Sequence, residues 1–290
     1  MRLYPECYPC MLNRALLLCR NKSDREKKEF IRKLCRLFSE TPADITTTEL
    51  SIARNRLLSD ILKDDNPAKD LKAVGMRTAE RVYKNLEACV AGERDATKRF
   101  RKALLIALAG NMLEFGPMEH SVDLENLEND VLEVVNSKPA VDEIDRIYKK
   151  IKKSKRILYV TDNAPEIVLD RIFIRELLRY AEVVVAPLSK PIQDDACIED
   201  AKKAGIDRLC RLVPRGDNIG IWFDRFCTKG FLDEFEKADF VIAKGMGCYE
   251  TLIEYPERIT GKVAILMKVK CSPVARNISA ERGSMVAKIF

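Results

Sequence analysis

Asp162 and Asn163 stand side by side after a run of β-branched and aromatic residues, Ile157-Leu158-Tyr159-Val160-Thr161, and just before Pro165. A carboxylate and an amide oxygen at one strand end are hard ligands suited to Mg²⁺ or Mn²⁺. Asp194 or Asp195, in a later loop, would add charge to the same cation. The same pair also suits the cap of a helix that Pro165 would open. At this level both readings stand.

Lys244-Gly245-Met246-Gly247 follows the apolar run Asp239–Ala243. Glycines let a backbone approach an anion, amides at the start of the next helix donate to its oxygens, and a lysine adds charge. That predicts phosphate binding by Lys244, Gly245 and Gly247, against a plain turn. Glu250, on the helix that follows, is placed to read a substrate hydroxyl. Gly216-Asp217-Asn218 is either a strand-to-helix turn or a wall on which Asn218 or Asp217 reads hydroxyls. Asn111 and Glu114 close a long helix before Gly116, a stop signal, and present a polar face toward any cleft beyond it.

Cys7 and Cys10 form a single CxxC at a helix start. Without a second pair it makes no four-cysteine zinc site, so structural burial is expected first, then a partial metal or cluster site completed from elsewhere, then a redox pair. The chain has one histidine, His120, read as a loop or capping residue. A multi-histidine metal centre is excluded, and a Ser-His-Asp hydrolase would need His120 itself as its base. The chemistry must rest on carboxylates, amides, lysines or thiols.

These residues need elements to hold them. Residues 1–154 show apolar positions at three-to-four spacing and predict an all-α helical domain. From 155 to 290 short apolar runs alternate with helical stretches: strands at 156–161, 182–187, 208–213, 239–243 and 262–269, helices at 165–180, 196–204, 223–237 and 249–255. Strands separated by single helices predict a mainly parallel sheet in a Rossmann-like three-layer α/β/α domain. In such sheets ligands bind at the carboxyl ends of the strands. Asp162-Asn163, Asp194-Asp195, Arg215–Asn218, Lys244–Gly247 and Lys270-Cys271 all lie on that edge.

With 290 residues and 47% apolar content, two ordinary cores are affordable. No uncharged apolar run reaches membrane-spanning length and no signal-peptide h-region opens the chain, so a cytoplasmic protein without membrane contact is expected. The net charge of +6 is spread thinly. Its densest run, 149–156, lacks stacking aromatics and reads as a solvated helix end with a linker rather than a nucleic-acid footprint.

Glu6-Cys-x-x-Cys10, Gly110-Asn-x-x-x-Phe-Gly116, Thr161-Asp-Asn-Ala-x-Glu166, Pro191-Ile-x-Asp-Asp-Ala196, Val241-Ile-Ala-Lys-Gly-x-Gly-x-Tyr-Glu-Thr251 and Lys268-x-Lys-Cys271, taken together and in order, resemble the metal-dependent damage-control phosphatases. That family was long filed as DUF89, and the CxxC marks its subfamily I. The resemblance implies a helical N-terminal domain and an α/β C-terminal domain. It implies a divalent cofactor (Mn, Mg, Co or Ni) held by Asp162, Asn163 and Asp195, with Lys244 as the phosphate-binding lysine. The implied reaction is hydrolysis of small phosphate monoesters, such as sugar phosphates or damaged phosphometabolites. Pro165, Asp194 and Glu114 stand where the family often has Gly, Asn and Asp. The rival readings are a Rossmann-type nucleotide or S-adenosylmethionine module, a methyltransferase included, and a non-catalytic binding scaffold. Against the first, an Asp-Asn pair occupies the place of the dinucleotide glycines. Substrate, nucleophile and oligomeric state are open.

Overall fold

In the computed structural model, which describes residues 1–114, 123 and 125–290, seven strands form one sheet in the order β1-β7-β6-β5-β2-β3-β4. The strands are β1 (Val141–Asp142), β2 (Arg156–Val160), β3 (Glu182–Ala186), β4 (Arg211–Leu212), β5 (Phe240–Lys244), β6 (Val263–Lys268) and β7 (Met285–Ile289). All pairings are parallel except β6 with β7. The mainly parallel α/β sheet predicted from the sequence is therefore present. The central strands β2, β5 and β6 read as continuous buried runs because helices cover both of their faces. Strand β7 had not been predicted, and β1 falls inside a segment read as helix.

Alternation along β2 sorts the core. Ile157 and Tyr159 join the layer built by α4 (Lys69–Ala91), α5 (Ala96–Gly110), α6 (Leu127–Asn136), α7 (Ile144–Ile151) and α8 (Glu166–Leu177). Leu158 and Val160 face the other way, toward α10 (Lys229–Lys237), α11 (Gly245–Leu252), α12 (Pro256–Ile259) and α13 (Ser272–Ile278). Short α9 (Ile198–Lys203) follows the loop after β3.

The expected boundary at 154/155 marks where the hydrophobic period changes, not where packing divides. Helices α4 to α7 precede it, yet their buried residues share one core with β2, β3 and α8. Among the described residues, α1 (Cys7–Leu18), α2 (Asp24–Ser39) and α3 (Thr47–Leu62) build small clusters of their own. Both α2 and α3 open on capping boxes, Ser23 with Glu26 and Thr46 with Glu49, which fix where each helix starts.

Strand β2 has β3 on one side and β5 on the other, so the chain's direction of travel reverses beside it. A crevice at the carboxyl ends of β2 and β5 is where an open α/β sheet binds ligands. No helix among the described residues is long and apolar enough to cross a membrane. His120 and Gly116 lie outside the described residues.

Candidate active site

Two loops meet beyond the end of β2. Ala196 N donates to Asp162 O at 2.7 Å, Ala164 N donates to Asp194 O at 2.8 Å, and Asn163 bridges Asp195 in an isolated antiparallel pair. These backbone bonds bring the carboxylates of Asp162 and Asp195 into the wall of one cavity of about 130 Å³. Helices α1 and α3 form its other side.

The Asp162 side chain is held from below. Its Oδ2 accepts from Asn111 Nδ2 and from Asn163 Nδ2, each at 2.8 Å. Both amides also donate to Glu166 Oε2, at 2.9 and 3.0 Å. Asn111 Oδ1 accepts from Lys268 N at 2.9 Å, so the α5 amide has one orientation. Gly245, at φ +80°, completes the cradle: a Cβ there would lie 1.9 Å from Asp162 Oδ2.

Neither Asp162 nor Asn163 caps the following helix. Pro165 occupies the N-cap of α8, which has no side-chain cap bond. The Asn163 amide is spent on Asp162 and Glu166, and the capping option is set aside in favour of the cradle.

The charge pattern fits a cation. Burial, then the Glu166 and Asp195 carboxylates, hold the Asp162 carboxyl well above its ordinary range. Burial, then Asp194, raises Asp195 to about 7. Buried carboxylates that repel one another are stabilised by a bound cation. With the Asn163 nitrogen turned to Asp162 and Glu166, its oxygen is left for the same ion. Among the described residues no three His, Cys, Asp or Glu side chains cluster in a metal-holding arrangement. An Asp-Asn-Asp set contributes only two such side chains, both Asp, and falls outside that kind of cluster.

The direction of Lys244 differs from the expectation. Its ammonium is fully buried and pairs with Glu166 and with Asp170 Oδ1 at 2.7 Å, while donating to Ala107 O at 2.8 Å. Burial alone would lower its proton affinity, but Asp170 and Glu166 outweigh that and lift it to about 12. The cause is strand alternation. Ile242 faces α8 and Ala243 faces the opposite layer, so Lys244 returns to the α8 side rather than to the cavity. It stands beneath the site: Lys244 pairs with Glu166, Glu166 holds Asn111 and Asn163, and those two hold Asp162.

Gly247 and Met246 line the cavity at the first turn of α11, and Glu250 lines it one turn further on. Gly247 also permits close packing, since a Cβ there would meet Ile219 Cγ2 at 2.7 Å. Burial raises Glu250 to about 7. Asn218 lies instead in a neighbouring groove with Lys190 and Asp217, outside the cavity. Cys7 and Cys10 are free thiols in the cavity wall, with Cys271 on the same wall.

Several residues had not been singled out. Arg14 on α1 donates to Glu114 Oε1 at 2.8 Å and pairs with Asp194. Lys270, after β6, pairs with Glu114. Burial would raise Glu114, yet Lys270 and Arg14 hold it down to about 2. Lys72 donates to Asp195 O at 2.6 Å and pairs with Asp200 at 2.9 Å. Buried Arg215 donates to Thr161 O at 3.1 Å, with Nη2 3.9 Å from Asp195. The sequence signal for Arg215 and Lys270 is their place after strands, with Lys270 also inside the Lys268-x-Lys-Cys271 motif; Arg14 and Lys72 look like ordinary helix charges.

A family model for the damage-control phosphatase ARMT1-like domain matches residues 3–286. The chain is 30% identical to a damage-control phosphatase of Archaeoglobus fulgidus, covering 100% of this chain and 99% of that one. It is 28% identical to a damage-control phosphatase of Pyrococcus horikoshii, over 99% and 97% of the two. An uncharacterized protein of Methanocaldococcus jannaschii is 33% identical over 99% and 95%. The crystal structure of a DUF89 family protein from P. horikoshii superposes with a TM-score of 0.88 at 26% identity, covering 100% of this chain and 99% of that one.

Proposed function

Because the chain belongs to the damage-control phosphatase ARMT1-like family, we propose that it hydrolyses small phosphate monoesters, with a divalent cation held by Asp162, Asn163 and Asp195. The observation that carries this reading is the backbone clamp between the two loops, Asn163 against Asp195, which puts two buried carboxylates, Asp162 and Asp195, on the same cavity. The Cys7–Cys10 pair is the feature that supports a subfamily I reading.

When bound, the cation supplies Lewis acidity toward a phosphoryl oxygen and a site for the attacking water. The chain's own groups do the rest. Met246 and Gly247 line the cavity at the first turn of α11, and the free amides of a helix start suit phosphoryl oxygens. Glu250, on the same helix, suits a substrate hydroxyl. Asp194 is paired with Arg14, which gives it a positioning role. Lys244 serves by fixing Glu166, and through it the orientation of Asn163 and Asp162.

Phosphorylated metabolites of the cytoplasm are the expected substrate class. A panel of sugar, polyol and nucleotide phosphates, assayed with Mg²⁺, Mn²⁺, Co²⁺ and Ni²⁺, tests the proposal. Metal-dependent phosphate release that disappears in Asp162→Ala, with the variant folded, supports it. No turnover of any monoester with any of the four metals overturns it. Stabilisation by adenosine cofactors but not by Mn²⁺ would favour a nucleotide-binding module instead.

A further inference from the structure

Two cationic side chains line the cavity, Arg14 and Arg54. Arg14 is matched by Glu114 and Asp194. Arg54 forms no ion pair among the described residues. Its Nε and Nη2 donate at 3.1 and 2.8 Å to the neutral amide oxygen of Asn55. The residue is 2% exposed, so bulk water does not offset its charge, and the Asp194 carboxylate, already paired with Arg14, favours it only weakly without pairing with it. A buried, unmatched guanidinium is destabilising unless something else brings the anion.

The surroundings say where that anion enters. Thr47, Ser51 and Arg54 recur at helical spacing on the face of α3 that lines the cavity. Asn55 Oδ1, which receives Arg54, also accepts from Gln193 Nε2 at 2.6 Å. Gln193 lines the cavity two residues before Asp195, is 5% exposed, and has φ +51°, a conformation seldom adopted by residues other than glycine. Its Oε1 is buried and accepts no hydrogen bond among the described residues. A guanidinium without a paired counter-charge and an acceptor without a donor thus share one wall, joined through Asn55.

We propose that Arg54 is the receptor for the anionic phosphoryl group of the substrate and that Gln193 Oε1 accepts a hydroxyl from its alcohol portion. Guanidinium and phosphoryl oxygens match in charge and in planar two-point geometry. A carbonyl oxygen has no donor to meet on a phosphate dianion, but it does on a polyol. Burial and the adjacent Arg14 lower the proton affinity of Arg54 to about 9, which still leaves it charged at neutral pH. The assignment rests on the phosphatase reading and adds to it the residues that hold the substrate.

Inorganic phosphate titrated calorimetrically into Mn²⁺-loaded protein tests the assignment. Arg54→Met is expected to weaken phosphate binding by about 10- to 100-fold, the range for a charge-assisted hydrogen bond. Mn²⁺ affinity, measured separately, should stay the same. The ligand-free variant should melt at or above the wild-type temperature, because an uncompensated buried charge is gone, while its phosphate-induced shift shrinks. Arg54→Lys should recover part of the phosphate affinity. Gln193→Met should leave phosphate binding intact and weaken glycerol phosphate relative to methyl phosphate. Unchanged phosphate affinity in Arg54→Met, or a lower melting temperature without ligand, overturns the assignment. Wild-type protein that neither binds phosphate nor hydrolyses a monoester overturns the phosphatase reading itself, and this one with it.

Discussion

Gly245 leaves the space that the Asp162 carboxylate fills. A Cβ at Gly245 would lie 1.9 Å from Asp162 Oδ2 and 2.1 Å from Cγ, and the backbone there has φ +80°. Two requirements coincide at one glycine, a left-handed conformation and a close approach from the side chain that ends β2. Gly245→Ala is therefore expected to displace Asp162 rather than merely strain a turn. Activity should fall about 10²-fold or more, since small misplacements at a reacting centre have effects of that size. Mn²⁺ binding should weaken in parallel. Full activity in a folded Gly245→Ala protein would contradict the cradle.

Lys244→Met separates the two roles open to that lysine. The ammonium is fully buried against Glu166 and Asp170, so its removal leaves two carboxylates unmatched. Loss of one partner from a buried pair is destabilising by about 3–5 kcal/mol. Urea unfolding should show that loss, and adding Asp170→Asn should restore part of it. A lysine that only bound phosphate would instead raise KM and leave stability near wild type.

Much of this was legible in the chain. The buried runs of β2, β3, β5 and β6 stand out because two helical layers leave no room for polar alternation. Asp162 and Asp195 were legible because strand ends are where such sheets bind ligands. The direction of Lys244 was encoded in the same alternation as Ile242 and Ala243, but the adjoining glycines suggested an anion instead. Arg14 and Arg54 were not legible. They sit on α1 and α3 among many solvated charges, and their burial depends on docking against loops more than 130 positions away. Strand β7 was missed because it follows the short helix α13 and pairs antiparallel at the far side of β6, outside the repeating strand-helix pattern.

Asp142 gives an acid-side prediction away from the site. It receives Arg101 from α5 and caps Ile144 N, and these bonds outweigh burial and hold its carboxyl below the ordinary 3.8. A depressed folded-state value adds stability that is fully present above the unfolded value and is lost as pH falls through the folded one. Asp142→Asn should therefore be less stable than wild type at pH 6, by about 1 kcal/mol or less because Arg101 is one-third exposed. The difference should shrink as pH falls below the ordinary 3.8 and vanish once pH is below the depressed folded-state value. Urea titrations at three pH values check it, and a difference that grows toward acid would reverse the assigned sign.

Asn111 lies 51 positions before Asp162 in the chain, yet its amide touches Asp162, Glu166 and the backbone of Lys268 at once. Two substitutions distinguish what it does. Asn111→Ala removes a donor from each carboxylate and leaves the Lys268 amide without its acceptor, an effect of about 1–3 kcal/mol on stability. Asn111→Asp keeps the acceptor for Lys268 but sets a third carboxylate against Asp162 and Glu166. If Asn111 orients a metal ligand, Mn²⁺ affinity should fall about 10- to 100-fold in the alanine variant, the usual result of losing a partner behind a ligand. The aspartate variant should then bind Mn²⁺ with a steeper dependence on pH, because the added carboxyl must compete between proton and cation. Wild-type Mn²⁺ affinity in both would confine Asn111 to tying α5 onto β6.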